Sequence, residues 1–221
     1  MRDILCLLCL ALMVVFIIYE YKEKYGNAVL FKGLASLCFV MLGIINSSRC
    51  SDPQFAKLVI VGLLLGFVAD ILLNLRFVFK NKGTLVFLVG ILVFLAGHIM
   101  YLAALIPHCS CLWVCIAIGV VLTALIMVWL FKKITAKPAF KIFGVFYIGA
   151  IVIMNCVAIG ILITSPSPRA LVFAIGAVLF LISDIVLILN TFGSETKFSL
   201  RITNLTLYYL GQLFIAMSLI Y

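Results

Sequence analysis

The sequence predicts an all-α fold, a polytopic membrane bundle of eight transmembrane helices. Of its 221 residues, 67% are apolar and only 10% are charged, whereas about a quarter of the residues in a soluble domain are charged. This composition excludes a soluble globular protein, a disordered chain and a secreted disulfide scaffold. A transmembrane helix needs about 20 apolar residues, so eight spans with short connections account for the chain.

Eight apolar runs separated by polar or turn-forming residues supply the predicted spans. They cover residues 4–21, 28–46, 57–75, 84–106, 110–131, 139–163, 169–190 and 202–221. The first run ends in Tyr19-Glu20-Tyr21-Lys22, which is not a small-residue cleavage pattern. We therefore interpret it as a retained helix and not as a signal peptide. Residues 1–221 are expected to form a single transmembrane domain.

The net charge of +9 comes from basic residues between the apolar runs. In a soluble protein this charge would suggest a nucleic-acid partner, but here it indicates topology and contact with anionic headgroups of the membrane lipids. The side of the membrane reached after odd-numbered runs holds twelve Lys and Arg residues, in the connections or near the starts of the following runs, against four on the other side. Both termini are therefore predicted to be non-cytoplasmic. The membrane would be the plasma or inner membrane in a bacterium and the endoplasmic reticulum in a eukaryote.

A weak internal repeat relates residues 62–105 to residues 176–219, at an offset of 114. It aligns Asp70 with Asp184, and eight of the 44 positions are identical. The repeat predicts two parallel four-helix halves, about 1–107 and 108–221. Transporters show the same pattern, and a Leu-rich composition can produce such a match by chance, so the repeat does not choose a function.

Polar residues inside the apolar runs are the most informative ones. An ionisable side chain at bilayer depth costs about 2.5–3.5 kcal/mol on insertion scales, so it needs a partner or a task. Asp70 lies in the third run and Asp184 in the seventh, at matched depth. A protonated aspartate that hydrogen-bonds a neighbouring helix is the structural alternative. For two matched aspartates we favour a shared function.

Other polar residues accompany the aspartates. His98 and Tyr101 are three residues apart in the fourth run and share a helix face, as do Tyr208 and Gln212, which are four apart in the eighth. Core packing is the alternative for each. Lys32, near the start of the second run, either snorkels to the surface or contacts a phosphate group. The predicted substrate- and water-orienting residues are Lys32, His98, Tyr101, Tyr147, Ser183, Asn190, Tyr208 and Gln212.

The chain lacks the motifs of several enzyme classes. It has no GxSxG, HExxH, P-loop or GxGxxG pattern, and its eight cysteines do not form the pair of CxxC motifs typical of a zinc site. We therefore assign no metal site and no cofactor. Carboxylate chemistry remains: in a low-dielectric site one aspartate can stay protonated as an acid while the other acts as a base. This suits hydrolysis of a lipid bond and a transporter's proton relay equally well.

Several segments resemble the lysoplasmalogenase family, the YhhN family of eight-helix membrane proteins. The strongest is GAVLFLISDIVLILNTF at 176–192, which is similar to the family run G-A-x-x-F-x-x-S-D-x-x-x-x-x-N-x-F. The segments GHIMY at 97–101 and YYLGQ at 208–212 resemble the family's H-x-x-Y and Y-Y-x-x-Q. Asp70, Lys32 and Tyr147 fall where the family has its G-D helix, its K-P pair and its Tyr-and-Met sixth helix. The resemblance covers about residues 30–220.

The resemblance implies hydrolysis of the vinyl ether bond of lysoplasmalogens, a class of lysophospholipid. We expect Asp70 to act as the acid and Asp184 as the base and electrostatic stabiliser. Lys32 would contact the phosphate group of the substrate. Ala69 and Gly33 replace the family's Gly and Pro, which bears on substrate range. The alternatives are a proton-coupled transporter or lipid translocator that uses the same aspartates, and a non-catalytic membrane protein.

Overall fold

The helices of the computed structural model match the predicted spans one to one. The structure describes residues 1–221, with the side chains of all but Lys80 and Ala139. Across this described part of the chain there are eight long helices, each long and apolar enough to cross a membrane. They are α1 (Arg2–Tyr21), α2 (Tyr25–Ser47), α3 (Pro53–Leu75), α4 (Gly83–Leu105), α5 (Leu112–Phe131), α6 (Pro138–Thr164), α7 (Pro168–Phe192) and α8 (Phe198–Met217). The predicted fold class is confirmed: the chain is an all-α, multi-pass integral membrane protein.

Local sequence specifies where two of the helices begin. Asp52 accepts a hydrogen bond of 2.9 Å from the backbone N–H of Phe55 at the start of α3. Ser167 accepts one of 3.1 Å from the N–H of Ala170 at the start of α7. In both cases the capping residue is followed by a proline at the first helical position. An acceptor cap and a proline at the first helical position both favour the start of a helix.

The chain divides into two compact units. The first comprises Met1–Tyr101 with Leu219–Tyr221, where α1 packs against α2 and α2 against α3. The second comprises Leu102–Ser218, where α5 packs against α6, α6 against α7 and α7 against α8. The predicted four-helix halves stay a prediction, as do the membrane type and the orientation of the termini.

Each unit contains one close helix crossing at a pair of glycines. A Cβ added to Gly97 of α4 would lie 3.2 Å from the carbonyl oxygen of Gly62 in α3. A Cβ added to Gly211 of α8 would lie 2.9 Å from the carbonyl oxygen of Gly176 in α7. Small residues allow this approach of two backbones in a membrane bundle. Gly62 aligns with Gly176 and Gly97 with Gly211 at the offset of 114.

Polar and apolar side chains are distributed as a membrane bundle requires. On α5, Trp113 is 80% exposed, and Val114, Val121 and Leu125 are each more than half exposed. In the bilayer these apolar surfaces face lipid or another apolar surface. The buried polar or charged residues among those described include Lys32, Ser36, Asp70, Asn74, His98, Asn155, Ser183, Asp184, Asn190, Asn204 and Gln212. Because burial of such groups is costly, their partners identify the candidate site.

Candidate functional site

The Asp70 cluster lies in the first unit, between α2 and α3. The Lys32 ammonium is 3.1 Å from Oδ1 of Asp70, and Ser36 donates a 2.6 Å hydrogen bond to Oδ2. Lys32 and Ser36 are one turn apart on α2 and therefore share a face. Lys32 is 4% exposed and Asp70 is 2% exposed. Both oxygens of the carboxylate thus receive a donor from α2, in a setting with almost no solvent.

Lys32 makes further contacts around the ion pair. Its Nζ lies 3.4 Å from Oδ1 of Asn74, one turn beyond Asp70, and 5.6 Å from the ring centre of Phe16. An aromatic face and an amide oxygen both stabilise a buried ammonium. This placement differs from the expected snorkelling or phosphate contact, because the ammonium turns inward to Asp70. The amide nitrogen of Asn74 makes no hydrogen bond within the described part of the chain.

His98 and Tyr101 lie on α4, also in the first unit. Nδ1 of His98 is 2.9 Å from the carbonyl oxygen of Phe94. Since a carbonyl only accepts, Nδ1 carries a proton, and in the neutral ring Nε2 is then an acceptor. The Tyr101 ring meets the His98 ring edge to face, with the ring centres 6.0 Å apart. Tyr101 packs directly on Gly62, where any side chain would displace it.

The Asp184 cluster lies in the second unit, between α6 and α7. The phenol of Tyr147 on α6 donates a short hydrogen bond to Oδ2 of Asp184. Asp184 is 3% exposed and Tyr147 is 9% exposed. A hydroxyl donor on a neighbouring helix fixes the orientation of the carboxyl group. Asp184 is therefore held by a phenol where Asp70 is held by an ammonium and an alcohol.

Ser183 takes part in a reciprocal contact between α7 and α8. Its hydroxyl donates to the carbonyl oxygen of Asn204 at 3.0 Å. Asn204 donates its side-chain nitrogen to the Ser183 carbonyl at 3.0 Å and to the hydroxyl at 2.8 Å. These bonds tie the two helices together one residue away from Asp184.

The remaining predicted residues of the second unit form local contacts. Gln212 donates to the hydroxyl of Tyr208 at 3.4 Å, and the Tyr208 ring meets Phe180 edge to face at 5.4 Å. Asn190 accepts a 2.7 Å hydrogen bond from the backbone N–H of Lys197. Asn190 therefore organises the connection between α7 and α8.

Four buried polar residues lie outside the predicted set: Ser36, Asn74, Asn155 and Asn204. Ser36 and Asn74 belong to the Asp70 cluster, and Asn204 contacts Ser183. Asn155 of α6 donates to the carbonyl oxygen of Ile151 at 2.9 Å, but its own side-chain oxygen accepts no hydrogen bond within the described residues. It is 4% exposed. A buried amide oxygen in this state suits a donor from water or from a ligand. The spacing of Ser36 four residues after Lys32 was a signal for its role, because the two share a face.

Comparison with known proteins places the chain in a family. The family model described as the YhhN family matches residues 27–219, a range that contains both aspartate clusters. Neither the curated proteins nor the solved structures give a significant match.

Proposed function

Since the chain belongs to the YhhN family, we propose that it hydrolyses the vinyl ether bond of lysoplasmalogens. Family membership fits a hydrolase-type membrane enzyme. The proposed products are a fatty aldehyde and glycerophosphoethanolamine or glycerophosphocholine. The observation that carries the proposal is the pair of buried aspartates, Asp70 and Asp184, each oriented by donors from a neighbouring helix. A lysophospholipid held in the membrane presents its alkenyl chain to such a bundle.

The reaction needs an acid, a base and a negative charge. Protonation of the β-carbon of the vinyl ether gives an oxocarbenium ion, and water then adds to the α-carbon with loss of a proton. The resulting hemiacetal collapses to the aldehyde and the glycerol hydroxyl, so one water is consumed. A positioned acid contributes about 10²–10⁴-fold to such a step. A fixed carboxylate stabilises the oxocarbenium charge.

The contacts of Asp70 favour a reversal of the roles expected from the resemblance. Its oxygens face the Lys32 ammonium and the Ser36 hydroxyl, and both are donors. This arrangement suits a carboxylate that stays anionic, so we assign Asp70 as base and electrostatic stabiliser. The acid role then falls to Asp184, which Tyr147 orients.

We assign supporting roles to the other residues. Lys32 and Ser36 position Asp70, while Ser183 and Asn190 hold the helix and the connection around Asp184. His98, Tyr101, Tyr208 and Gln212 are proposed to orient water and the carboxylates. Nε2 of neutral His98 is an acceptor that suits a water molecule.

The deciding experiment measures fatty aldehyde released from lysoplasmenyl-ethanolamine and lysoplasmenyl-choline by the detergent-purified protein. Asp70→Asn and Asp184→Asn should each lose activity by about 10²-fold or more while remaining monodisperse. Asp3→Asn, a change of an exposed aspartate at the start of α1, is the matched control and should keep full activity. Full turnover by either folded site variant would disprove the acid–base proposal.

Two further measurements separate the roles. In D₂O the aldehyde should gain one deuterium at the carbon next to the carbonyl, because protonation occurs at the β-carbon. In the pH profile of kcat/KM, Asp184→Glu should move the high-pH limb and Asp70→Glu the low-pH limb, because an acid must be protonated and a base ionised. The opposite pattern would restore Asp70 as the acid.

A proton-coupled transporter or lipid translocator is the second candidate. The buried Lys32–Asp70 ion pair favours it, because charged pairs inside a bundle are typical of proton pathways. This candidate predicts lipid movement in proteoliposomes without release of aldehyde, and the assay above distinguishes the two. If Asp→Asn changes alter stability alone and the parent shows neither activity, the aspartates are structural.

A further inference from the structure

Three cysteines come together where the chain enters α5. The sulfur of Cys115 lies 3.5 Å from that of Cys111 and 3.9 Å from that of Cys109. All three sulfurs lie within 4.8 Å of one another. Cys115 is buried, whereas Cys109 and Cys111 are partly exposed and lie in the connection before the helix. We call this group the Cys109 cluster.

A glycine on the neighbouring helix leaves the space that the sulfurs occupy. A Cβ added to Gly160 of α6 would overlap the sulfur of Cys115 and would lie 3.3 Å from that of Cys111 and 3.9 Å from that of Cys109. Any larger residue at this position would therefore displace the cluster. The close grouping of the three sulfurs depends on α6 as well as on the spacing of the cysteines along the chain.

We propose that Cys109, Cys111 and Cys115 bind a soft metal ion as three thiolates, with Cu(I) as the ion. Thiolates select Cu(I), zinc and iron–sulfur centres over hard cations. Metal–sulfur bonds of about 2.3 Å place sulfurs around one ion about 3.8–4.0 Å apart. The observed separations lie around this value, so binding needs only small side-chain movements.

The number of donors decides between Cu(I) and zinc. Structural zinc sites are almost always four-coordinate. Among the described residues this group offers three ligands, all of them cysteine sulfurs. A three-sulfur set is complete for Cu(I). The cation would also neutralise thiolates that are otherwise costly to hold beside apolar helices.

The spacing Cys-x-Cys-x-x-x-Cys explains why the sequence alone assigned no metal here. Cys111 and Cys115 share a helix face, but only the folded connection brings Cys109 to the same point. The group lies at the end of α5 and not at its middle, so an ion from the aqueous side can reach it. The proposal is independent of the hydrolase activity, which uses other residues.

The test is an anaerobic Cu(I) titration of the full-length, reduced, detergent-purified protein against a competing Cu(I) chelator. We expect one Cu(I) per chain for the parent and none retained by Cys109→Ser/Cys115→Ser. Cys156→Ser, on α6 and outside the cluster, is the matched control and should bind as the parent does. Gly160→Val keeps all the cysteines and should also lose the ion.

A second readout does not depend on how well the variants fold. Bound Cu(I) should protect Cys109, Cys111 and Cys115 of the parent from alkylation, as mapped by mass spectrometry, and leave the other cysteines unchanged. Absence of Cu(I) retention, protection of other cysteines, or retention of Zn(II) without Cu(I) would overturn the proposal. A disulfide within the cluster of protein isolated anaerobically would also overturn it.

Discussion

The two aspartate clusters align in the sequence but have different partners. Asp70 and Asp184 align at the offset of 114, and each lies on a helix that crosses the next one at a pair of glycines. In the first unit the second helix, α2, supplies Lys32 and Ser36 to the carboxylate. In the second unit the corresponding helix, α6, supplies the phenol of Tyr147.

The two buried carboxyl groups therefore lie in unlike electrostatic surroundings. An ammonium compensates a buried negative charge, whereas a phenol only donates a hydrogen bond. Asp70 therefore has a compensating cation beside it, whereas the phenol that donates to Asp184 is neutral. The division of labour proposed for the reaction follows from the partners and not from the aspartates themselves.

The largest effect is expected from loss of the ammonium in the first unit. Lys32→Met keeps much of the side-chain volume but leaves Asp70 without the compensating charge, so the free energy of unfolding should fall by about 3–5 kcal/mol. The measurement is the thermal unfolding midpoint in detergent. The double variant Lys32→Met/Asp70→Asn should recover part of the loss. If the double variant is no more stable than the single one, the ion pair is not the source of the effect.

Tyr147→Phe tests the second cluster in the same way. The ring stays and only the donor to Asp184 is lost, which should cost about 1–3 kcal/mol, less than the loss at Lys32. If Tyr147 positions the proposed acid, kcat should fall about tenfold or more while KM stays unchanged. Tyr25→Phe, in the first unit and stacked on Phe77, is the control and should leave both constants unchanged. A rise in KM alone would argue against a positioning role.

The two glycine crossings allow the two units to be compared for tightness of packing alone, because no charged group takes part. A Cβ at Gly211 would be 2.9 Å from a backbone oxygen, whereas a Cβ at Gly97 would be 3.2 Å from one. An extra methyl group in a packed interior lowers the free energy of unfolding by about 1–3 kcal/mol. A backbone oxygen cannot rotate away from it as a side chain can. Gly211→Ala should therefore lower the unfolding midpoint more than Gly97→Ala. Equal shifts would mean that the two crossings relax to the same extent.

Much of the fold, but less of the site, could be predicted from the sequence. The composition and the apolar runs predict transmembrane helices. In lipid the backbone N–H and C=O groups have no water to bind, and a helix pairs them within one segment. The partner of Lys32 was missed because the second span was predicted to begin at residue 28. The helix begins at Tyr25, so Lys32 lies about two turns inside it and meets Asp70.

The sequence also does not predict contacts that depend on how each helix is rotated about its axis. The spacing of Ser36 after Lys32 shows a shared face, but not that this face meets α3. Asn204 was missed because the sequence does not show that this part of α8 meets Ser183 on α7. The Cys109 cluster forms only because the connection before α5 folds back, and the spacing of apolar residues does not predict the path of a connection.

The smallest effect is expected for the contact between Ser183 and Asn204. Hydrogen bonds between membrane helices contribute about 0.6 kcal/mol on average and at most about 1.7 kcal/mol, so Ser183→Ala should lower stability by that order. A double-mutant cycle with Asn204→Ala should give a coupling energy of similar size. Turnover should change little, because both groups act on helix packing and not on the reaction. A loss of turnover as large as that of Tyr147→Phe, without loss of stability, would instead indicate that the Ser183 hydroxyl acts on the substrate.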